Sequence, residues 1–256
     1  MFSRTLGLGR KIQGRLNDLG MVCAHRAARD PASGALDPAA RRALERVGRY
    51  VGLFSLLFYS GLTRRHAILR SARGLERAVA RGALSAEEAR ALLGESGGAG
   101  GGGLPASQRH WIVLGWIAQL HRRALDSGAF VGDRTAAETQ FDERVHELRG
   151  AAASVGDELA DRIPLPYIHF VQILTDFFLL LTPFALFPEM GAWCIVATAS
   201  LTLFFEGLLN LAKSFIDPLD NERVHRGGIC IDTLIAESNA GAVRWLYAAT
   251  PPLPAS

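Results

Sequence analysis

Oxygen-bearing side chains crowd one short segment near residue 220. Asp217, Asp220, Asn221 and Glu222 place four such side chains within six residues, and Pro218 introduces a turn among them. Carboxylate and amide oxygens are the ligands that a hard cation such as Ca²⁺ prefers, and the last carbonyls of a preceding helix could add to them. The spacing is not that of an EF-hand loop, so a solvated acidic turn is the alternative interpretation.

Two further carboxylates, Asp176 and Glu206, each interrupt a long apolar segment. A carboxylate in hydrocarbon costs about 2.5–3.5 kcal/mol on insertion scales. Each side chain is therefore expected to face protein or a water-filled path. One interpretation is a lining or gating residue of an ion route, and the alternative is a hydrogen-bonded structural carboxylate.

The remaining reactive residue types show no catalytic spacing. Five of the histidines are scattered singly along the sequence: His66, His110, His121, His146 and His225. Cys23, Cys194 and Cys230 have neither metal-site nor CxxC spacing, and free thiols are typical of a reducing compartment. With no nucleophile–base pair, the sequence predicts that the protein is not an enzyme.

The carboxylates must be positioned by two apolar segments, Tyr167–Phe187 and Gly191–Ala212. About 20 helical residues cross a hydrocarbon core, so each segment is long enough to span a membrane. Only residues 188–190 separate them, which predicts a transmembrane helical hairpin with its break there. The connection has no Lys or Arg while both flanks do, so the positive-inside rule places both ends on the cytosolic (or stromal) side.

The rest of the sequence predicts polar helices, and the fold class is therefore all-α. We expect a cytosolic helical region at 1–162 with a Gly-rich loop at 94–107, the hairpin at 163–212, and a cytosolic acidic turn with a C-terminal helix at 213–256. A single helix is predicted at 64–80.

Local signals support some of these helices. Asp37 is a predicted N-cap, and Ser85 with Glu88 forms a predicted capping box. The apolar residues 50–62 are too few to span a membrane and suit a buried core helix.

Composition narrows the function classes. Hydrophobic residues make up 49% of 256 residues, the mean hydropathy is +0.15, and the formal net charge is +3. Such a small positive charge does not indicate nucleic-acid binding. A lipid bilayer is the predicted partner, and a soluble enzyme is disfavoured.

Several segments, in order, resemble motifs of the bestrophins, a family of pentameric anion channels. RYVGL at 49–53 resembles RYxNL, and GALSAEE at 82–88 resembles GFMTxxE. IPLPY at 163–167, continued by HFVQI, resembles IPLxYTQVV. The residues from 203 to 219 resemble FFFxxGWLKVAExLxNPFG, and 232–241 resembles the helix that follows in the family. The resemblance extends from about residue 10 to 248.

The resemblance implies a homopentamer with a central pore through which chloride is the permeant ion. Ile163, with Pro164, falls at the family's narrow apolar cytosolic aperture. Asp217 falls on an Asn of the family's calcium clasp, and Asp220 to Glu222 lie near its acidic run. Ser214 replaces a Gln of that clasp, and calcium is the candidate cofactor. Asp176 and Glu206 match no pore residue of the family.

The family's first two membrane helices should precede residue 10, and we expect them to be missing here. The first interpretation is a bestrophin-like anion channel, passive and calcium-modulated, in which an apolar constriction sets the barrier. The alternative is a non-conducting structural or anchoring subunit, or a truncated fragment of such a channel. Both predict a multi-pass membrane protein, with the plasma, thylakoid and bacterial inner membranes left open.

Overall fold

The computed structural model describes residues 2–94, 104–160, 165–216, 219 and 230–249. Its described helices are α1 Phe2–Arg26, α2 Pro38–Leu62, α3 Ala72–Ala80, α4 Ala86–Leu93, α5 His110–Asp126, α6 Arg134–Ala160, α7 Leu165–Met190, α8 Cys194–Ile216 and α9 Ile231–Ala249. Extended pairing within the described ranges is limited to two isolated bridges, Ala27 with Phe130 and Arg29 with Leu36. The prediction of an all-α fold is confirmed.

The chain divides into two compact units. The helical unit comprises Gly7–Ser154 and Cys230–Ser256, and the hairpin unit comprises Met1–Leu6 and Val155–Ile229. The C-terminal helix α9 therefore belongs to the same unit as α2 and α5, although the hairpin separates them in sequence.

Helix α2 is the centre of the helical unit and packs against both α5 and α9. Asp37 caps its N-terminus by accepting hydrogen bonds from the amides of Ala39 and Ala40, and Pro38 follows at the first helical position. Its apolar half is buried, with Phe54 fully enclosed. The predicted core helix is thereby confirmed.

Aromatic contacts between α2 and α5 show the relative direction of these two helices. The Tyr50 ring lies 5.7 Å from that of Trp116, whereas Phe54 and Phe58 lie 5.5 and 5.2 Å from His110. Later positions on α2 meet earlier positions on α5, so the two helices are antiparallel.

Helix α9 approaches the opposite side of α2 at small residues. Gly48 faces Ala242, and a Cβ atom at Gly52 would lie 2.5 Å from the side-chain oxygen of Asn239. Position 52 is the one where the resembling motif RYxNL carries Asn. The Asn239 side chain thus occupies space that a side chain at position 52 would need.

Two local predictions have different outcomes. The single helix at 64–80 is wrong: a 3-10 turn at Ala67–Arg70 precedes α3, because Ser71 ends the turn and caps α3 by accepting a hydrogen bond from the Gly74 amide. The capping box is confirmed. Ser85 accepts from the Glu88 amide at 3.1 Å, and Glu88 accepts from the Ser85 amide at 2.8 Å.

The hairpin unit holds α7 and α8, joined by a 3-10 turn at Gly191–Trp193. The predicted break at residues 188–190 is wrong, because α7 continues to Met190 with Pro183 and Pro188 inside it. The chain turns instead at Gly191, whose φ of 51° favours glycine.

The two hairpin helices pack against each other. The rings of Phe178 and Phe205, at similar distances from the turn, lie 5.7 Å apart, which fixes an antiparallel register. The segment Pro166–Ala212 is long and apolar enough to cross a membrane, with a mean hydropathy of 1.9. Only 11% of its apolar window is buried, unlike the core helix of a soluble protein.

Candidate functional site

The antiparallel register brings the two intramembrane candidates, Asp176 and Glu206, to the same depth. Asp176 precedes Phe178 by two residues and Glu206 follows Phe205 by one, and these two phenylalanines are in contact. At 1.5 Å per residue both carboxylates lie about 20 Å along their helices from the turn. The structure therefore aligns them at one level of the hairpin, which spacing alone did not indicate.

The two carboxylates nevertheless have different surroundings. The buried positions of α7 include Leu179 and Thr182, whereas Asp176 is exposed. Glu206 is half-buried and lines a groove of about 550 Å³ together with Thr198, Thr202 and other residues of α8.

Neither carboxylate has an ion-pair partner among the described residues. In a membrane, each must find water or a polar group beyond this hairpin, since an unpaired charge in hydrocarbon is costly.

Most of the other predicted site residues lie outside the described part of the chain. Ile163 and Pro164 lie outside the described residues, as do Asp217, Asp220, Asn221 and Glu222. Ser214 lies in α8, but its side chain is outside the described part. Within the described ranges, no group of three or more His, Cys, Asp or Glu residues could hold a metal ion. The aperture and the calcium site stay predictions.

A second polar cluster lies in the helical unit, where two of the family-like segments meet. Arg49 donates two hydrogen bonds to Glu88, of 2.9 and 2.6 Å, and the Tyr50 hydroxyl donates a third of 2.8 Å. The Arg49 guanidinium also lies 4.9 Å from the centre of the Tyr50 ring. Sequence reasoning singled out both segments but not their contact across 38 or 39 residues.

Electrostatics keep the Arg49–Glu88 pair ionised. Burial raises the pKa of Glu88, but hydrogen bonds from Arg49, the Ser85 amide and Tyr50 outweigh it and hold the pKa below its ordinary value. The hydrogen bond to Glu88 raises the pKa of Arg49. Burial, followed by the Glu88 carboxylate, raises the pKa of Tyr50. The cluster is therefore a charged clamp that joins α2 to the first turn of α4.

Two histidines that appeared scattered in the sequence are core residues. His121 is 1% exposed and stacks on Phe141 with ring centres 3.9 Å apart, while His110 packs edge-on against Phe54. Burial lowers the pKa of both to about 4. They are neutral at physiological pH, and their role is packing.

The comparisons with known proteins rest on structure. No family model matches the sequence, and no curated protein matches it. A bacterial bestrophin homologue from Klebsiella pneumoniae superposes with a TM-score of 0.67 at 15% identity, covering 96% of this chain and 78% of that one. The chain has the bestrophin fold.

Two single-residue variants of the same Klebsiella homologue give similar values. One superposes with a TM-score of 0.66 at 15% identity over the same shares of the two chains. The other gives 0.67 at 13% identity, covering 95% of this chain and 78% of that one. Since the superposition spans almost all of this chain, the bestrophin-like fold predicted from the motifs is confirmed.

Proposed function

We propose that this protein is a bestrophin-like anion channel subunit that carries chloride passively across a membrane. The observation that carries the proposal is the bestrophin fold over 96% of the chain, with an apolar hairpin included. The proposal includes a homo-oligomer, a pentamer by family resemblance, because the exposed apolar surface of one hairpin cannot enclose a pore by itself.

In this proposal α7 and α8 cross the bilayer as a pair, which makes the protein multi-pass. The antiparallel register and the 3-10 turn at Gly191–Trp193 bring both outer ends of the hairpin to one side. Lys and Arg flank the hairpin and are absent from the turn, so that side is the cytosolic or stromal one.

The barrier to permeation is assigned to Ile163 with Pro164, at the entry to α7. A ring of apolar side chains gates by excluding water from a narrow passage. Asp176 and Glu206 are assigned positions away from the anion path, because rings of carboxylates are features of cation channels. Calcium, held by Ser214, Asp217, Asp220, Asn221 and Glu222, is the proposed modulator.

Anion flux through liposomes that contain the purified chain tests the proposal. We expect chloride flux, and we expect Ile163→Ala to raise it or to weaken selectivity among anions. Ile173→Ala is the matched control, because it makes the same side-chain change on α7 about 12 Å beyond the first residue of that helix. It should leave flux unchanged. Addition of a calcium chelator to the same liposomes tests the modulator.

The second candidate function is a non-conducting anchoring subunit. The two carboxylates at one depth of the hairpin favour it, because negative charge at a single level opposes anion passage. Well-inserted oligomers without chloride flux would contradict the channel proposal and support the anchoring role. Native mass spectrometry of the same preparation gives the subunit number.

A further inference from the structure

The helical unit contains a polar groove between α2, α4 and α5, and none of the residues assigned to the ion path lines it. Its volume is about 370 Å³, within the range of small-molecule sites. We call it the arginine groove. The lining residues that matter here are Arg46, Tyr50, Glu87, Trp116, Gln119 and Arg123.

The helix register places both lining arginines, Arg46 and Arg123, at one end of the arginine groove. Tyr50 and Trp116 are in ring contact and mark one level of the antiparallel pair α2 and α5. Arg46 lies about 6 Å before Tyr50 along α2, and Arg123 lies about 10 Å beyond Trp116 along α5. In antiparallel helices these displacements point the same way, so the two guanidiniums lie beyond the ring pair at the same end.

Neither guanidinium has a described partner, whereas its neighbours do. Arg49 binds Glu88, and Arg122 lies 3.9 Å from Asp142. Arg46 and Arg123 make no ion pair or side-chain hydrogen bond with the described residues. Two like charges that share a groove repel each other, and a bound anion would relieve that repulsion.

The charge balance of the arginine groove favours a small anion. Glu88 is neutralised by Arg49, which leaves Arg46 and Arg123 against Glu87 among the lining residues. The surplus is one positive charge. Guanidinium groups recognise carboxylates and phosphates through paired hydrogen bonds, which a spherical halide cannot satisfy. The Trp116 and Tyr50 rings beside them offer an apolar surface to the rest of a ligand.

We propose that the arginine groove binds a small organic oxyanion, a carboxylate or phosphate monoester. The oxyanion lies between Arg46 and Arg123, and the carbon skeleton lies against Trp116. All of its lining residues belong to the helical unit, so the binding test does not require that the chain conducts. Because Tyr50 also belongs to the Glu88 clamp, the ligand contacts a residue that positions α4.

Titration with phenyl phosphate at constant ionic strength, followed by calorimetry and tryptophan fluorescence, tests the proposal. We expect saturable binding with one site per chain, and a loss of affinity of about tenfold or more in Arg46→Gln and in Arg123→Gln. Arg77→Gln on α3 is the matched control, because Arg77 is exposed and does not line the groove. It should bind as the wild type does.

For Glu87→Gln we expect the opposite change in affinity for phenyl phosphate. This test does not depend on removing a contact with the ligand. Removing the one opposing negative charge should tighten phenyl phosphate binding several-fold. Inorganic phosphate should bind more weakly than phenyl phosphate, because it leaves Trp116 uncovered. A soluble short-chain phosphatidic acid in the same assay separates a lipid headgroup from a free monoester, since only a headgroup site prefers it.

Two results would overturn the proposal. The first is an affinity that falls equally in the Arg46, Arg123 and Arg77 variants, which would indicate non-specific charge attraction. The second is no saturable binding to wild type or to Glu87→Gln when circular dichroism shows both to be folded.

Discussion

The helical unit and the hairpin unit differ in where their large apolar side chains lie. In the helical unit large apolar side chains turn inward, and Phe54 has no exposed surface. In the hairpin unit they turn outward: Leu203 is 80% exposed and Phe184 is 75% exposed. The helical unit is therefore stabilised by its own packing in water. The hairpin needs lipid or further protein around it, because this much exposed apolar surface is unfavourable in water.

The largest expected effect comes from replacing a phenylalanine by alanine in each of the two units. Phe54→Ala should lower the free energy of unfolding of the helical unit by about 3–5 kcal/mol, since it leaves a cavity in the core. Phe184→Ala should change it by less than about 0.5 kcal/mol. Hydrogen exchange of the α2 and α5 amides measures both. Equal losses of protection in the two variants would contradict the contrast between the two units.

A charge placed on the exposed surface of each unit tests which medium that surface meets. Leu203→Arg should disfavour membrane insertion by about 2.5–3.5 kcal/mol, because the exposed face of α8 meets hydrocarbon. Ile68→Arg, at a position 48% exposed in the helical unit, should be almost neutral because that surface meets water. Glycosylation mapping reports the inserted fraction. Full insertion of Leu203→Arg would mean that this face of α8 meets protein or water.

The Glu88 clamp tests whether polar contacts within the helical unit contribute as its core does. Glu88→Ala should destabilise α4 by about 2–3 kcal/mol, because it removes a charged pair and half of a capping box. Glu88→Gln should cost less, since an amide can still accept from the Ser85 amide. Hydrogen exchange of α4 amides gives both values.

Glu87→Ala is the neighbouring control for the clamp and should have little effect, since Glu87 is exposed. Unchanged α4 protection in Glu88→Ala would show that the clamp is dispensable.

Acid should act on the helical unit through its buried histidines. Burial lowers the pKa of His110 and His121 to about 4, below the value of about 6.5 expected when unfolded. The unfolded state therefore binds more protons between these values, so stability is full above pH 6.5 and falls as the pH drops toward 4. Each histidine should cost about 2 kcal/mol between pH 7 and 5.

The measurement for the histidines is the exchange of α5 amides at pH 7 and pH 5, corrected for intrinsic rates. His121→Phe should remove about half of the pH dependence, because the ring still stacks on Phe141 but no longer titrates. A pH dependence that is the same in wild type and variant would contradict the assignment of His121 as a buried neutral group.

Local sequence signals were sufficient to predict much of the fold. Asp37 and the Ser85–Glu88 pair marked helix starts because capping depends on residues a few positions apart. The apolar length of Pro166–Ala212 was sufficient for the hairpin. Two local predictions about where helices end were wrong. Two prolines at 183 and 188 did not end α7, and Ser71 divided a helix that the pattern treated as one.

Sequence alone was sufficient to predict most of the helical segments, which of them is apolar enough for a membrane, and which family they resemble, because those properties depend on composition and short-range spacing. Which distant residues meet became visible only in the folded chain. The fold placed Arg49 and Tyr50 on Glu88, aligned Asp176 with Glu206, and brought Arg46 and Arg123 to one end of a groove. Helix register and packing set those contacts, and neither can be read from residues far apart in one chain.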